Sequence, residues 1–433
     1  MGRFTLTLTC VVASLCWSSA QRVSRQGARR ACVADGIEMC SYENHNGMLQ
    51  KLNNLALQYP RLAQVGSVGK SVQGRDLAYI KISGNVSSRN VMEPMFKFVG
   101  NMHGDETLGR QLNIYMAEYL LKNYATDSRI RQLVDNTEIF LMPTMNPDGY
   151  SSSSPSCGAS IFQALSHVFS GNPRHNARNK DLNRNFPKQF DENQNVPFNE
   201  LKRGREIETQ HIMDWIKGNP FVLSANMHSG AMVASYPFDD SAAHQSKGRY
   251  SASPDDKFFR YVAKLYSQNH PQMGQGVNCR ERFEDGITNG ANWYDVPGGM
   301  QDFNYLHSNA FEITLELTCC KHIPASELAK GWSDNKESML KYMEATHLGV
   351  KGMVLDGQTN IPVPNAQVHV EGINHPVTTT NKGEYWRLLA PGTYRLFATA
   401  PGYLQSLPVS VNVLEASPPQ ALISHFNLIK SKK

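Results

Sequence analysis

The chain has 433 residues, 40% of them apolar and 19% charged, with a formal net charge of +5. This composition excludes a disordered or low-complexity protein, and a small positive charge without a basic stripe or an aromatic ladder excludes a nucleic-acid partner. Single cores stop growing at about 250–300 residues, so the length predicts one large domain and a smaller one.

At the N-terminus, Arg3 precedes an apolar run from Phe4 to Trp17, and Ser18-Ser19-Ala20 supplies the small residues that signal peptidase requires. Residues 1–20 are therefore expected to be a signal peptide, with residues 21–40 a basic N-terminal arm. No other stretch is apolar enough to span a bilayer, and the charged end Lys430-Ser431-Lys432-Lys433 does not resemble an anchor signal. The expectation is a secreted, extracellular monomer with neither a transmembrane segment nor a lipid anchor.

Cysteine usage agrees with export. Cys10 and Cys16 fall in the leader, and Cys32, Cys40, Cys157, Cys279, Cys319 and Cys320 form an even set suited to disulfides. Cys32 and Cys40 close a short loop and are expected to pair. Adjacent Cys319 and Cys320 would strain a mutual bond and are expected to reach separately to Cys157 and Cys279, in an order the sequence leaves open. Asn85-Val86-Ser87 is an N-glycosylation sequon, which marks an exposed turn and predicts a glycoprotein.

Between Asn44 and Tyr59, Met48, Leu52, Leu55 and Ala56 repeat at helical spacing until Pro60 stops the pattern. Val65–Ser83 reads as a glycine-punctuated hairpin. Apolar runs without alternation follow at Met95–Val99, Glu138–Met142, Phe221–Met227 and Phe311–Leu317, separated by helical patterns at Gly109–Asn123, Arg205–Lys217 and Asp255–Gln268. Such an order predicts an α/β fold with a mixed, largely parallel sheet covered by helices, whose ligands bind beyond the C-terminal strand ends. His103, the Asn146-Pro147-Asp148-Gly149 turn, His228 and Glu316 all fall at those ends. The Ser151–Asn199 segment is long, polar and without period, as functional loops are. A helical pattern at Asp334–Thr346 closes this domain, placed at residues 41–347. Short alternating runs at Val350–Val354, Ala366–Val370, Glu384–Leu389, Thr393–Ala398 and Val409–Val413 then predict a small all-β sandwich over residues 348–430.

Three residues compose a metal site. His103 and Glu106 sit three apart in a segment that must bend, and His228 ends an apolar strand; two imidazoles and a carboxylate leave a fourth position open, as catalytic zinc sites do. Glu312 and Glu316 share one face of an apolar strand. Glu316 lies nearer the ligands and is the candidate general base, since burying a carboxylate there is costly unless it has a task or a partner. Arg174, Arg178 and Arg184 surround Asp181-Leu182-Asn183-Arg184, and guanidinium groups fit carboxylates through paired hydrogen bonds.

These motifs, together with Tyr236-Pro237-Phe238-Asp239-Asp240, Trp293-Tyr294, Gly298-Gly299-Met300-Gln301-Asp302 and Glu312-Ile313-Thr314-Leu315-Glu316-Leu317, resemble the zinc metallocarboxypeptidases of the regulatory N/E type over about residues 41–430. His103-Gly104-Asp105-Glu106 and Cys319-Cys320-Lys321 look most like carboxypeptidase M, without its C-terminal anchor signal. The resemblance implies a transthyretin-like sandwich and one zinc ion on His103, Glu106 and His228. It implies Glu316 and Arg174 as catalytic groups, and Asn183, Arg184 and Tyr294 as the grip on the substrate's terminal carboxylate. Asp239 and Gln301 would form the pocket for C-terminal Lys or Arg, so the expected partners are peptides and proteins with basic C-termini. Ser229 stands where the family usually has Gly, and Asp105 where it often has Asn. Two rival readings are a catalytically impaired binding relative and a zinc deacylase of small N-acyl amino acids.

Overall fold

A computed structural model describes residues 32–155, 157, 172–244 and 248–431. The expected signal peptide, most of the N-terminal arm and residues 156 and 158–171 of the long Ser151–Asn199 segment lie outside these residues.

The large domain is built on one sheet. Its strands are β1 (Ala63–Lys70), β2 (Asp76–Ile82), β3 (Met95–Gly100), β4 (Glu138–Met142), β5 (Phe221–His228), β6 (Met232–Tyr236), β7 (Ile287–Asn289) and β8 (Phe311–Leu317). In space they run β7-β6-β8-β5-β3-β4-β2-β1. The pairs β3–β4, β3–β5, β5–β8 and β6–β7 are parallel, whereas β1–β2, β2–β4 and β6–β8 are antiparallel. The sheet is thus mixed and largely parallel. β6 and β7 go unmarked in the sequence, because β6 follows β5 almost without a break and β7 is too short to show a period.

Helices cover both faces. Asn44 caps α1 (His45–Gln58) by accepting from the Gly47 amide at 2.8 Å, and Met48, Leu52 and Leu55 turn inward. The remaining longer helices are α2 (Leu108–Asn123), α3 (Ser128–Asn136), α4 (Ile207–Gly218), α5 (Asp256–Asn269), α6 (Met300–His307) and α7 (Leu328–Glu344). One core gathers Leu112, Met116, Phe259, Trp332 and Met343 from α2, α5 and α7 against Phe96, Phe98 and Ile313. Ile212 and Trp215 of α4 and Met300 and Phe303 of α6 pack with Val99, Phe140 and Phe221 in the second.

Between these layers Lys97 Nζ meets Glu312 Oε2 at 2.7 Å with both side chains fully buried, and Ser224 Oγ and Asn226 Nδ2 donate to the same carboxylate at 2.7 and 3.0 Å. The paired charges and satisfied oxygens keep Glu312 in the core as an anchor between β3, β5 and β8. That separates it from Glu316 on the same strand.

The second domain is a sandwich. One sheet has the order β12 (Glu384–Arg387), β9 (Val350–Asp356) and β15 (Leu422–Ile423), with β16 (Phe426–Leu428) also on β9; the other runs β11 (Ile373–Thr378), β10 (Gln367–Val370), β13 (Gly392–Thr399), β14 (Val409–Val413). Buried and half-buried residues alternate along β9, as a one-faced strand requires. Arg387 Nη2 reaches Asp255 Oδ1 at 2.6 Å, and His375 stacks on Tyr305 at 3.8 Å between centroids, so the sandwich rests against the helices of the large domain. Disulfides join Cys32–Cys40, Cys157–Cys320 and Cys279–Cys319, which resolves the order left open by the sequence. Among the described residues, no helix is long and apolar enough to cross a membrane.

Candidate active site

The loop from β3 to α2 carries His103 and Glu106, and its backbone is clamped from below. Asn101, at φ +55°, donates through Nδ2 to the carbonyls of His103, Gly104 and Glu106 at 2.9, 3.0 and 3.1 Å. Gly104 lies so close to the Asn146-Pro147-Asp148-Gly149 turn that an added Cβ would stand 2.2 Å from the Gly149 carbonyl carbon. Asn146 Nδ2 in turn donates to the carbonyls of Met102 and Arg174 at 3.2 Å each. The turn is therefore a brace that holds the metal loop and the Arg174 segment together.

His228 ends β5, and the parallel register of β5 and β8 sets Glu316 opposite it. His103 Nδ1 and Glu106 Oε2 are 3.0 Å apart, the two histidine Nδ1 atoms 3.0 Å, and His228 Nδ1 and Glu106 Oε2 2.7 Å. A tetrahedral ion with bonds of about 2.0–2.1 Å needs donors roughly 3.3 Å apart, so the triangle accepts zinc with an opening of a few tenths of an ångström. All three side chains are buried and can hold a metal. Burial keeps His228 near a pKa of about 4, hence in the neutral form a metal binds. Burial opposes the charge of Glu106, but the two imidazoles outweigh it and hold the carboxyl well below its usual range.

Glu106 Oε1 faces away from the triangle, meeting Arg174 Nη1 at 3.1 Å and Lys321 Nζ at 3.2 Å. Asp181 accepts from His103 Nε2 at 3.0 Å through one oxygen and from Arg174 Nε at 2.9 Å through the other. It thereby turns His103 Nδ1 into the triangle with Glu106 and His228. Asp181→Ala is expected to weaken zinc binding by about 10- to 100-fold, read by competition with a chelating dye; unchanged affinity would contradict this second-layer role.

Glu316 is buried, and its Oε2 has no hydrogen-bond partner. Burial pushes its carboxyl well above the usual range and the Glu106 charge adds to that push; a cation held in the triangle would pull it back. Asn183 and Arg184 stand on a tight turn, Leu182–Arg184, where Asn183 Oδ1 accepts from the Met300 amide at 3.0 Å. Asp239 follows β6, and its Oδ1 accepts from Gln301 Nε2 at 2.8 Å. A Cβ on Gly290 would stand 1.8 Å from that oxygen, so only glycine fits there. Burial raises the Asp239 carboxyl to about 7, against the Arg184 charge, which lowers it.

Apart from Gln301, which stands behind Asp239, all the candidate residues line one cavity of about 210 Å³. Arg178 lies elsewhere, 3.8 Å from Glu206. Lys321 and Asp302 fall within motifs that the sequence shows, but nothing there gives either residue a role of its own. Asp302 accepts the amides of Asp239 and Asp240 and so fixes the Asp239 turn, but nothing in a helical pattern announces that. Asp181 is readable only as part of its motif.

Two imidazoles, one carboxylate and a buried second carboxylate at the rim define a metallohydrolase centre of the zinc type. A family profile described as zinc carboxypeptidase matches residues 48–338, and one described as carboxypeptidase regulatory-like domain matches residues 349–423. Carboxypeptidase D of Drosophila melanogaster is 47% identical over 87% of this chain, although the chain spans only 26% of that protein. Carboxypeptidase M of Mus musculus is 41% identical over 89% of this chain and 84% of its own length. The crystal structure of carboxypeptidase A from Helicoverpa armigera shares the fold, with a TM-score of 0.56 at 18% identity, covering 76% of this chain and 80% of that one. The chain belongs to the zinc carboxypeptidase family, in the branch that carries a regulatory-like β-sandwich.

Proposed function

We propose that this protein is a secreted carboxypeptidase that removes C-terminal Lys or Arg from peptides and proteins. The observation that carries the reading is Asp239, a buried carboxylate in the wall of the cavity that also holds Arg184 and the His103–Glu106–His228 triangle. A cationic side chain entering beside it would draw Asp239 into its ionised form, which a neutral side chain cannot do.

His103, Glu106 and His228 would hold the zinc. When bound, zinc supplies Lewis acidity to the scissile carbonyl and lowers the pKa of a water to near neutrality. Glu316 would accept a proton from the attacking water and return it to the leaving amine. Arg174 steadies the developing oxyanion. Asn183, Arg184 and Tyr294 hold the terminal carboxylate, and because only a chain end supplies one, the cavity accepts the last residue of a chain. Gln301 fixes the Asp239 carboxylate by its 2.8 Å hydrogen bond. Export is supported by the Met1–Ala20 pattern and by disulfides at Cys32–Cys40, Cys157–Cys320 and Cys279–Cys319. Exposed Asn85 is the position for an N-linked glycan.

The purified protein is expected to release Arg from a peptide ending in Arg, to lose that activity on dialysis against a chelator and to regain it with zinc. Full activity after verified metal removal would overturn the zinc assignment.

A further inference from the structure

A second cluster lies beside the specificity pocket. Asp240, His244 and Asp295 bring ligand atoms within 4.8 Å of one another; among the described residues only the His103–Glu106–His228 triangle does the same. His244 Nδ1 stands 2.9 Å from Asp295 Oδ2 and 3.4 Å from Asp240 Oδ1, while its Nε2 stands 2.9 Å from Asp191 Oδ1. The Asp240 side chain is 1% exposed. Among the described residues its carboxylate meets only the Ser241 amide and His244, neither with good hydrogen-bond geometry, and Asp295 Oδ1 is buried and unmatched.

Among the described residues, His244 is the only ion-pair partner of Asp240 and of Asp295. One imidazolium cannot neutralise the three carboxylates that face it, and Lys188 reaches only Asp191, at 3.8 Å. A buried carboxylate whose one charged neighbour is an imidazole shared with two other carboxylates is costly to keep. A cation between Asp240, His244 and Asp295 removes that cost.

We infer that Asp240, His244 and Asp295 form a second metal site, for a divalent transition-metal ion of the zinc class. One imidazole nitrogen and two carboxylate oxygens suit zinc or manganese better than the all-oxygen shells that calcium and magnesium take. The arrangement repeats that of the first triangle. His103 offers Nδ1 and gives Nε2 to Asp181, and His244 offers Nδ1 and gives Nε2 to Asp191. Asp240 directly follows Asp239 and Asp295 directly follows Tyr294, so the ion ties together the two segments that carry the pocket carboxylate and the tyrosine. Its effect on substrate affinity rests on the function proposed above; the binding itself does not.

The test is therefore a binding measurement. Zinc chloride titrated calorimetrically into the one-zinc holoenzyme is expected to show one further saturable equivalent. His244→Ala is expected to abolish it and Asp191→Asn to weaken it by about tenfold or more. With only the first equivalent present, His244→Ala should release Arg from an Arg-ending peptide as fast as the unaltered enzyme. Absence of a further equivalent, or a further equivalent that both variants leave unchanged, would overturn the site.

Discussion

Glu316→Gln is expected to keep one zinc per chain and to lose turnover by about 10²- to 10⁴-fold, the share that a positioned proton acceptor contributes. The substitution is nearly isosteric, so the fold and the triangle are retained, but an amide cannot take the water's proton. Glu316 sits opposite His228 in the β5–β8 register, and its buried Oε2 is bonded to nothing. Glu312 on the same strand provides the contrast, because its carboxylate is consumed by Lys97, Ser224 and Asn226. Metal analysis beside kcat decides the matter. A Glu316→Gln protein that holds zinc and turns over within tenfold of the parent would remove Glu316 from the proton transfer.

Arg184→Ala is expected to cost about 2–5 kcal/mol in transition-state binding, or about 30- to 4,000-fold in kcat/KM, because it leaves the substrate's terminal carboxylate without its cation. The same change should erase the preference for a free carboxylate over a C-terminal amide. Arg184 lines the cavity with Asn183 and Tyr294, and its Nη1 is steadied by the Asn183 carbonyl at 2.9 Å. Paired kinetics on a peptide and its C-terminal amide read the effect. If Arg184→Ala discriminates between the two as strongly as the parent does, the carboxylate is held elsewhere.

Much of the site was legible because its chemistry falls at strand ends. His103, His228 and Glu316 each end or follow a mostly apolar run that lacks strand alternation, and polar residues in such places need a reason. The hairpin, α1 and the long strands were legible through period and capping, as at Asn44. What stayed hidden has specific causes. β6 sits between β5 and the pocket with only Ser229-Gly230-Ala231 to separate it from β5. α7 begins at Leu328, well before the Asp334 expected, since Gly331 interrupts the helical pattern. The structure explains that glycine: a Cβ there would stand 2.8 Å from Leu108 Cδ1, where α7 packs on α2. The groups behind the first layer were the least legible. Lys321 reaches Glu106 across 215 residues of chain, and no local pattern encodes so distant a contact. Asp181 and Asp302 act through atoms that only the folded chain brings within reach.

The departures from the family pattern also find places. Ser229 keeps its amide on Glu106 Oε2 at 3.2 Å, a bond that any residue except proline supplies. Asp105 lies 3.6 Å from Lys321 Nζ, so its extra charge is balanced beside the metal loop.

The central claim is that Asp239 makes the cavity select a cationic last residue. The most direct measurement is the rate of release of the last residue from peptides that differ only there, with an N-acyl amino acid as a further substrate. Arg and Lys are expected to leave roughly 100-fold or more faster than Leu, since an unpaired buried carboxylate costs about 3 kcal/mol or more, and the N-acyl amino acid is expected to be a poor substrate. Equal rates for Arg, Lys and Leu would contradict the account.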